Sequence, residues 1–285
     1  MKIKVIYLIS IMLISTGCAS NSVKNKMKLN MFEYSRGMSL PVTSDLAIKY
    51  ENNDYVLENM YLDDQSFFED NSIIPNAFIK PLLRLDFDRA LKAFTEPYYS
   101  YRFVHFFKSN PNIGLGVEFI HLKIFLMDED QKLRMRGTFR GEEIDKVVRV
   151  GDYIDLFNIS HGVNHAGIHL VYRWMLSPTE SIPDGKFQPY VNFSFGPTVP
   201  HLELNTIEED GVKKRAYSYQ AGLNNFSFGL GTGIRYKPWN NIGFYFEYKF
   251  TYSYLMGMHF DDIHGTRVNM DFLTHHLQWG ISFMF

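Results

Sequence analysis

Cysteine is almost absent from this chain. Cys18 is the only one among 285 residues, so no disulfide can form within the molecule. An excess of one charge is missing as well: 29 Lys and Arg stand against 31 Asp and Glu, for a net charge of −2. With no basic surplus to neutralise phosphates, a general nucleic-acid binder is disfavoured. Beyond the N-terminus no stretch holds the ~20 consecutive apolar residues that a membrane-crossing helix needs. A chain without such a helix can still cross a membrane by closing a barrel.

What is present starts with the leader MKIKVIYLISIMLISTGCAS. Lys2 and Lys4 form a positive head, Val5 to Ile14 an apolar stretch, and small residues follow. That is the layout of a secretory signal over residues 1–20. Thr16 and Gly17 before Cys18 resemble a bacterial lipoprotein signal with Cys18 as the lipidated residue, although Ser15 stands where Leu is usual. Ordinary cleavage near Ala19 is the alternative, and export follows from either.

Aromatics make up 16% of the chain, with 25 Phe and 18 Tyr, and many fall in alternating segments. In IGFYFEYKFTYSYL (242–255), Phe244, Phe246, Tyr248, Phe250, Tyr252 and Tyr254 alternate with Tyr245, Glu247, Lys249, Thr251 and Ser253. Similar segments cover 95–107, 112–127, 164–176, 187–204, 216–236 and the last residues to Phe285. Period two is the signature of strands. Aromatic residues on one face, with charges and glycines crowded on the other, suit a transmembrane antiparallel up-and-down β-barrel rather than a soluble sandwich. Seven strands are countable from residue 95. An even number closes a bacterial barrel, so residues 21–95 must add at least one, from MFEYSRGMSLPV (31–42) or DYVLENMYL (54–62). About eight strands are expected, and ten would also close. IKPLLRLDFDRALKAF (79–94) has helix-like spacing, and 128–152 reads as a charged loop without a strand pair. Trp174, Tyr236, Trp239 and Tyr254 are placed for interfacial girdles. The terminal aromatic Phe285 reads as the end of the closing strand and a signal to the barrel assembly machinery. The three parts are a leader at 1–20, an N-terminal segment with a long loop at 21–95, and the main barrel at 96–285.

Counting strand directions back from Phe285 puts nine of the ten histidines on the extracellular side. A His-rich mouth with carboxylates could hold a divalent metal, since imidazole and carboxylate suit transition metals. It could instead supply general acids and bases. For any one histidine an ordinary polar surface role is the simpler reading. Parity sends His165, His169 and His276 inward. His201 and Glu203 share the outward parity of the strand before them, so they converge on a site only if that strand bulges or ends first. Glu118 and His121 cannot both face inward without a bulge. Glu247 and Lys249 read first as interior ion pairs filling the barrel. The glycines of GLGTG (229–233) read as relief of crowding rather than a phosphate loop.

The blocks EFIHLK (118–123), ISHGVN (159–164), VYRW (171–174), PYV (189–191), PHLE (200–203), FEYKFTYS (246–253) and THHLQWGISFMF (274–285) resemble, in order, those of the outer-membrane lipid A oxidases of the rhizobial type. The resemblance covers roughly residues 97–285; SHGVN and PHLE are its more specific parts. It implies a small outer-membrane barrel with lipid A, lipopolysaccharide and outer-membrane lipids as partners. It implies oxygen-dependent conversion of the proximal glucosamine of lipid A to an aminogluconate unit, with a divalent metal. Carried over, the catalytic candidates are Glu118, His121, Ser160, His161, Asn164, Glu247, Lys249 and His275. Lys123, Arg173, Thr274 and His276 are candidates for substrate, and His121, His161, His201 and Glu203 for metal. Residues 21–95 and Cys18 depart from the pattern. A structural barrel, adhesin or channel, and a lipid A deacylase, are the competing readings.

Overall fold

A computed structural model describes residues 27–63, 98–126, 128–208, 211, 213–219, 224–260 and 265–285. The leader with Cys18 and the helix-like segment 79–94 lie outside the described residues. The strands are β1 (Asn30–Pro41), β2 (Ser44–Tyr50), β3 (Asn53–Met60), β4 (Tyr99–Phe106), β5 (Ile113–His121), β6 (Ile124–Phe125), β7 (Lys132–Phe139) and β8 (Glu142–Arg149). They continue with β9 (Ile154–Ile159), β10 (His165–Arg173), β11 (Phe187–Pro197), β12 (His201–Ile207), β13 (Lys213–Tyr219), β14 (Asn225–Trp239), β15 (Ile242–His259) and β16 (Arg267–Met284).

Eight of them close a barrel in the order β1-β4-β5-β10-β11-β14-β15-β16, and β16 pairs back onto β1. The expected eight-stranded all-β barrel is therefore what forms. Its first strand is the 31–42 segment, while 54–62 supplies β3 in a different layer. We take as periplasmic the end where β1 begins, β16 finishes and β14 turns into β15 at Asn240–Asn241. Short turns mark that end in outer-membrane barrels.

Alternation decides what each face meets. Phe103, Ile168, Phe193, Ile234, Phe246 and Ile281 point outward and are exposed, as a lipid-facing wall requires. Trp239 and Tyr236 sit at the periplasmic end of β14, and Phe226 pairs with Tyr254 near the other end at 5.1 Å between rings. The inward residues are buried and mostly polar, with a small apolar cluster that includes Met31, Val104 and Val171. Arg102 on β4 is their hub. Its Nε donates to Glu118 Oε1 at 2.6 Å, and its two Nη atoms donate to Glu247 at 2.5 and 2.7 Å. Glu33 lies 3.5 Å from Nη1. Lys249 closes the circuit on Glu118, and Asn192 donates to Glu247 at 2.9 Å. Glu247 and Lys249 thus fill the interior as expected, but each pairs with a different partner rather than with the other.

The glycines of β14 leave the room this needs. A methyl on Gly229 would meet Lys249 Cε at 2.6 Å, and one on Gly233 would meet the Tyr190 ring at 2.6 Å. Crowding, not phosphate binding, accounts for GLGTG.

The periplasmic mouth is plugged by its own connection. Residues 174–186 run from β10 to β11 and tuck Asp184 inside, with no exposed surface. Lys237 Nζ donates to its carboxylate at 2.6 and 2.7 Å, and Arg173 Nη1 approaches at 3.3 Å.

The extracellular connections build a second layer, which the sequence reading missed. The upper end of β16 pairs with β2, and the sheet continues through β3, β7 and β8. A four-stranded sheet, β13-β12-β9-β6, is separate from it. Leu46, Leu57, Met135, Phe157, Leu204 and Phe272 belong to one buried apolar cluster that both sheets share. Residues 128–152 hold a strand pair after all. β7 and β8 form a hairpin around Arg140 and Gly141, whose φ values of 55° and 81° are those of a tight two-residue turn.

Replacing Arg102 with Met would strand three carboxylates that share its charge. Losing one partner of a buried ion pair costs about 3–5 kcal/mol. The urea midpoint of the detergent-folded barrel, followed by its gel shift on heating, is expected to fall accordingly; an unchanged midpoint would contradict the hub.

Candidate functional site

The rim site begins at a short turn. After β9 the chain passes through Ser160, His161, Gly162, Val163 and Asn164 into β10. Gly162 has φ 96° and Asn164 φ 49°, values that favour Gly and Asn. The Asn164 side chain ties the turn together. Its Nδ2 donates to the carbonyls of His161 (3.0 Å), Gly162 (3.1 Å) and Val199 (3.1 Å). Its Oδ1 lies 2.8 Å from His121 Nδ1. An amide oxygen only accepts, so Nδ1 of His121 carries the hydrogen of this bond.

The same turn receives His201. Its backbone N–H donates to Gly162 O at 3.3 Å, and its ring meets that of His161 at 4.3 Å between centroids, edge to face. Glu203 joins them. One ligand atom from each of His161, His201 and Glu203 lies within 4.8 Å of the others. His201 is fully buried, Glu203 half-buried and His161 exposed, so the group opens to one side. Burial and the neighbouring His161 push the His201 pKa down, and Glu203 offsets this in part. Ser160 Oγ stands 3.1 Å from His161 Nδ1.

Three of the four expected metal ligands therefore converge. The parity problem is solved by a break: β11 ends at Pro197, and His201 restarts the chain as β12 in another sheet. His121 stays just outside the group of three. It faces outward on β5, stacks on Tyr99 at 4.7 Å, and borders the turn through Asn164 and Gly162.

The remaining candidates are elsewhere. Glu118, Glu247 and Lys249 belong to the buried interior network around Arg102. Arg173, expected to meet substrate, lies instead at the periplasmic mouth against Asp184, because β10 descends from the rim. His276 faces inward, fully buried, with Nε2 2.8 Å from Thr251 Oγ1. His275 faces outward, with Nδ1 2.6 Å from Tyr248 Oη. β16 carries no bulge at this point, so the two keep strict parity. Thr274 is inward and buried opposite Thr251, and Lys123 follows β5 half-buried. His264 lies outside the described residues.

Sequence reasoning overlooked Arg102, Glu33, Arg235 and Asp184. Arg102 had a legible signal, being the inward-parity cation of YYSYRFVHF. Asp184 had none, since a loop residue carries no parity.

The comparisons bear on architecture. No protein-family model matches the chain, and no curated protein does. Among solved structures, the outer membrane protein OprG from Pseudomonas aeruginosa is 12% identical over 91% of this chain and 98% of that one, with a TM-score of 0.39. The outer membrane protease OmpT from Escherichia coli is 10% identical over 91% and 98%, with a TM-score of 0.40. Ail, the attachment invasion locus protein of Yersinia pestis, is 12% identical over 90% and 100%, at 0.29. Likenesses this slight carry no activity. The closed strand order, the apolar wall and the polar interior are by themselves those of an outer-membrane β-barrel protein.

Proposed function

We propose that this protein is an outer-membrane enzyme that oxidises the proximal glucosamine of lipid A to an aminogluconate unit with dioxygen, at the extracellular rim. The observation that carries the reading is the convergence of His161, His201 and Glu203. Two imidazoles and one carboxylate with an open side are the donor set of oxygen-using iron sites, so these residues fit a divalent metal. Such a metal would supply the path for electrons from the sugar to dioxygen.

The chain's own residues do the rest. With Nδ1–H of His161 donating to Ser160 Oγ, its Nε2 keeps the lone pair that a ligand needs, an orienting contact of the kind that tunes metal ligands. Burial lowers the His201 pKa, which favours the neutral imidazole that a ligand needs. Asn164 holds the turn, His121 and the Val199 backbone in one unit. The ring-closing carbon of the sugar loses its hydrogen and the hydroxyl proton with two electrons. Dioxygen takes up both electrons and both protons as peroxide, and water opens the resulting lactone to the acid.

A hydrolase has one observation in its favour, the 3.1 Å contact of Ser160 with His161. Lipid A mass separates the two. In aerobically grown cells the protein is expected to make lipid A one oxygen atom heavier, and loss of an acyl chain would favour the hydrolase. An unchanged spectrum would leave the structural, adhesin or channel readings.

His201→Ala is expected to abolish both the mass change and metal retention through purification, measured by elemental analysis. Asn164→Ala is expected to lower metal affinity about 10–100-fold with the barrel still folded. Wild-type metal content in both variants would remove the site from consideration.

A further inference from the structure

The outer wall directly below the rim cluster is dented. A groove of about 610 Å³ crosses β4, β5, β10 and β11 on the lipid-facing side, a size typical of ligand sites. Its lining is almost wholly apolar and includes Tyr101, Phe119, Ala166, Ile168, Phe195 and Pro197. The outward residue Ala166 is small, and Gly167 and Gly196 let the β10 and β11 backbones approach closely beside it. A methyl on Gly167 would strike the Phe195 carbonyl oxygen at 2.7 Å, and one on Gly196 would strike the Ala166 backbone.

The groove ends where polar groups begin. Tyr101 and Phe119 pair across β4 and β5, and the next outward pair toward the rim is Tyr99 and His121. His121 touches Asn164, and Asn164 holds the His161 turn. Ala166 is thus only two residues from Asn164, and Pro197 four from His201. An apolar trough, lined lower in the wall by Phe32 and Phe103, leads up to a polar row and then to the cluster. Among the described residues, the barrel bore is occupied by the Arg102 network with the apolar cluster above it.

We infer that this groove seats an acyl chain of lipid A, so that the substrate reaches the His161–His201–Glu203 group sideways from the outer leaflet with its sugar at the His121–Asn164 row. Lipid A is the occupant because it is the outer-leaflet lipid whose sugar head stands at rim height over its own chains. The inference rests on the reading of the rim as a lipid A site, but its test reads binding and not oxidation.

Native mass spectrometry of the full-length protein in detergent, titrated with purified lipid A or with phosphatidylethanolamine, tests it. Ala166→Trp fills the groove with a side chain that membrane interfaces tolerate. Ile234→Trp places the same bulk on the outward face of β14, away from the groove. Lipid A binding is expected to fall about tenfold or more in Ala166→Trp and to remain in Ile234→Trp, with folding (gel shift on heating) and metal content unchanged in both. Equal lipid A binding by Ala166→Trp and wild type would overturn the proposal, as would equal loss in the two variants or preferential retention of phosphatidylethanolamine. If lipid A binds through the groove but its mass never changes in cells, the oxidase reading fails and the groove stands.

Discussion

The buried guanidinium of Arg102 is the interaction on which the rest depends. A barrel that faces lipid must send its polar groups inward, and in a bore this narrow they cannot keep their water. Arg102 answers with a five-donor fork directed at Glu118, Glu247 and Glu33 together. Each carboxylate is in turn shared: Glu118 with Lys249, Glu247 with Asn192, and Glu33 with Arg235 at 2.6 Å. Charges held this way resist removal one at a time, because every single loss leaves a buried partner uncompensated. The glycines of β14 follow from the same constraint, since Lys249 on β15 and the Tyr190 ring on β11 need empty wall beside them.

A bore packed with ion pairs dictates where chemistry can occur. Below, Asp184 closes the periplasmic mouth with Lys237 and Arg173. Above, the apolar cluster shared by the two extracellular sheets caps the network. The proposed oxidation therefore belongs at the outer surface near the rim, where the His161 turn lies at the join of barrel and cap.

The barrel was legible because one physical pattern, period two with aromatic and polar faces, recurs in every wall strand. The cap was not, for a different reason in each part. β8 reads EEIDKVVR and is exposed along nearly its whole length, so it lacks the one-sided burial that makes a strand visible. β12 continues the alternation of β11 without a gap in pattern, and only its pairing with β9 and β13 shows that it has left the wall. At the site, the residue types and their height were readable, since strand direction follows from counting. Partner choice in the interior was not, because parity says which side a residue faces but not which opposing strand its side chain will reach. Glu247 and Lys249 were readable as interior ion-pairing residues, but not their partners Arg102 and Glu118.

The segment PTVPH, residues 197–201, turns a wall strand into a site. Pro197 ends β11, and Pro200 has no N–H to continue a ladder. Had the strand run on, His201 would have kept the outward parity of Phe193 and Phe195 and faced lipid. Thr198 instead bonds Asn225 at 3.0 Å and Val199 bonds Asn164 at 3.0 Å, so the chain steps across the rim before β12 begins. The step rotates His201 into full burial against His161 and brings Glu203 level with both. Two prolines and one asparagine therefore decide whether these residues are lipid-facing or convergent.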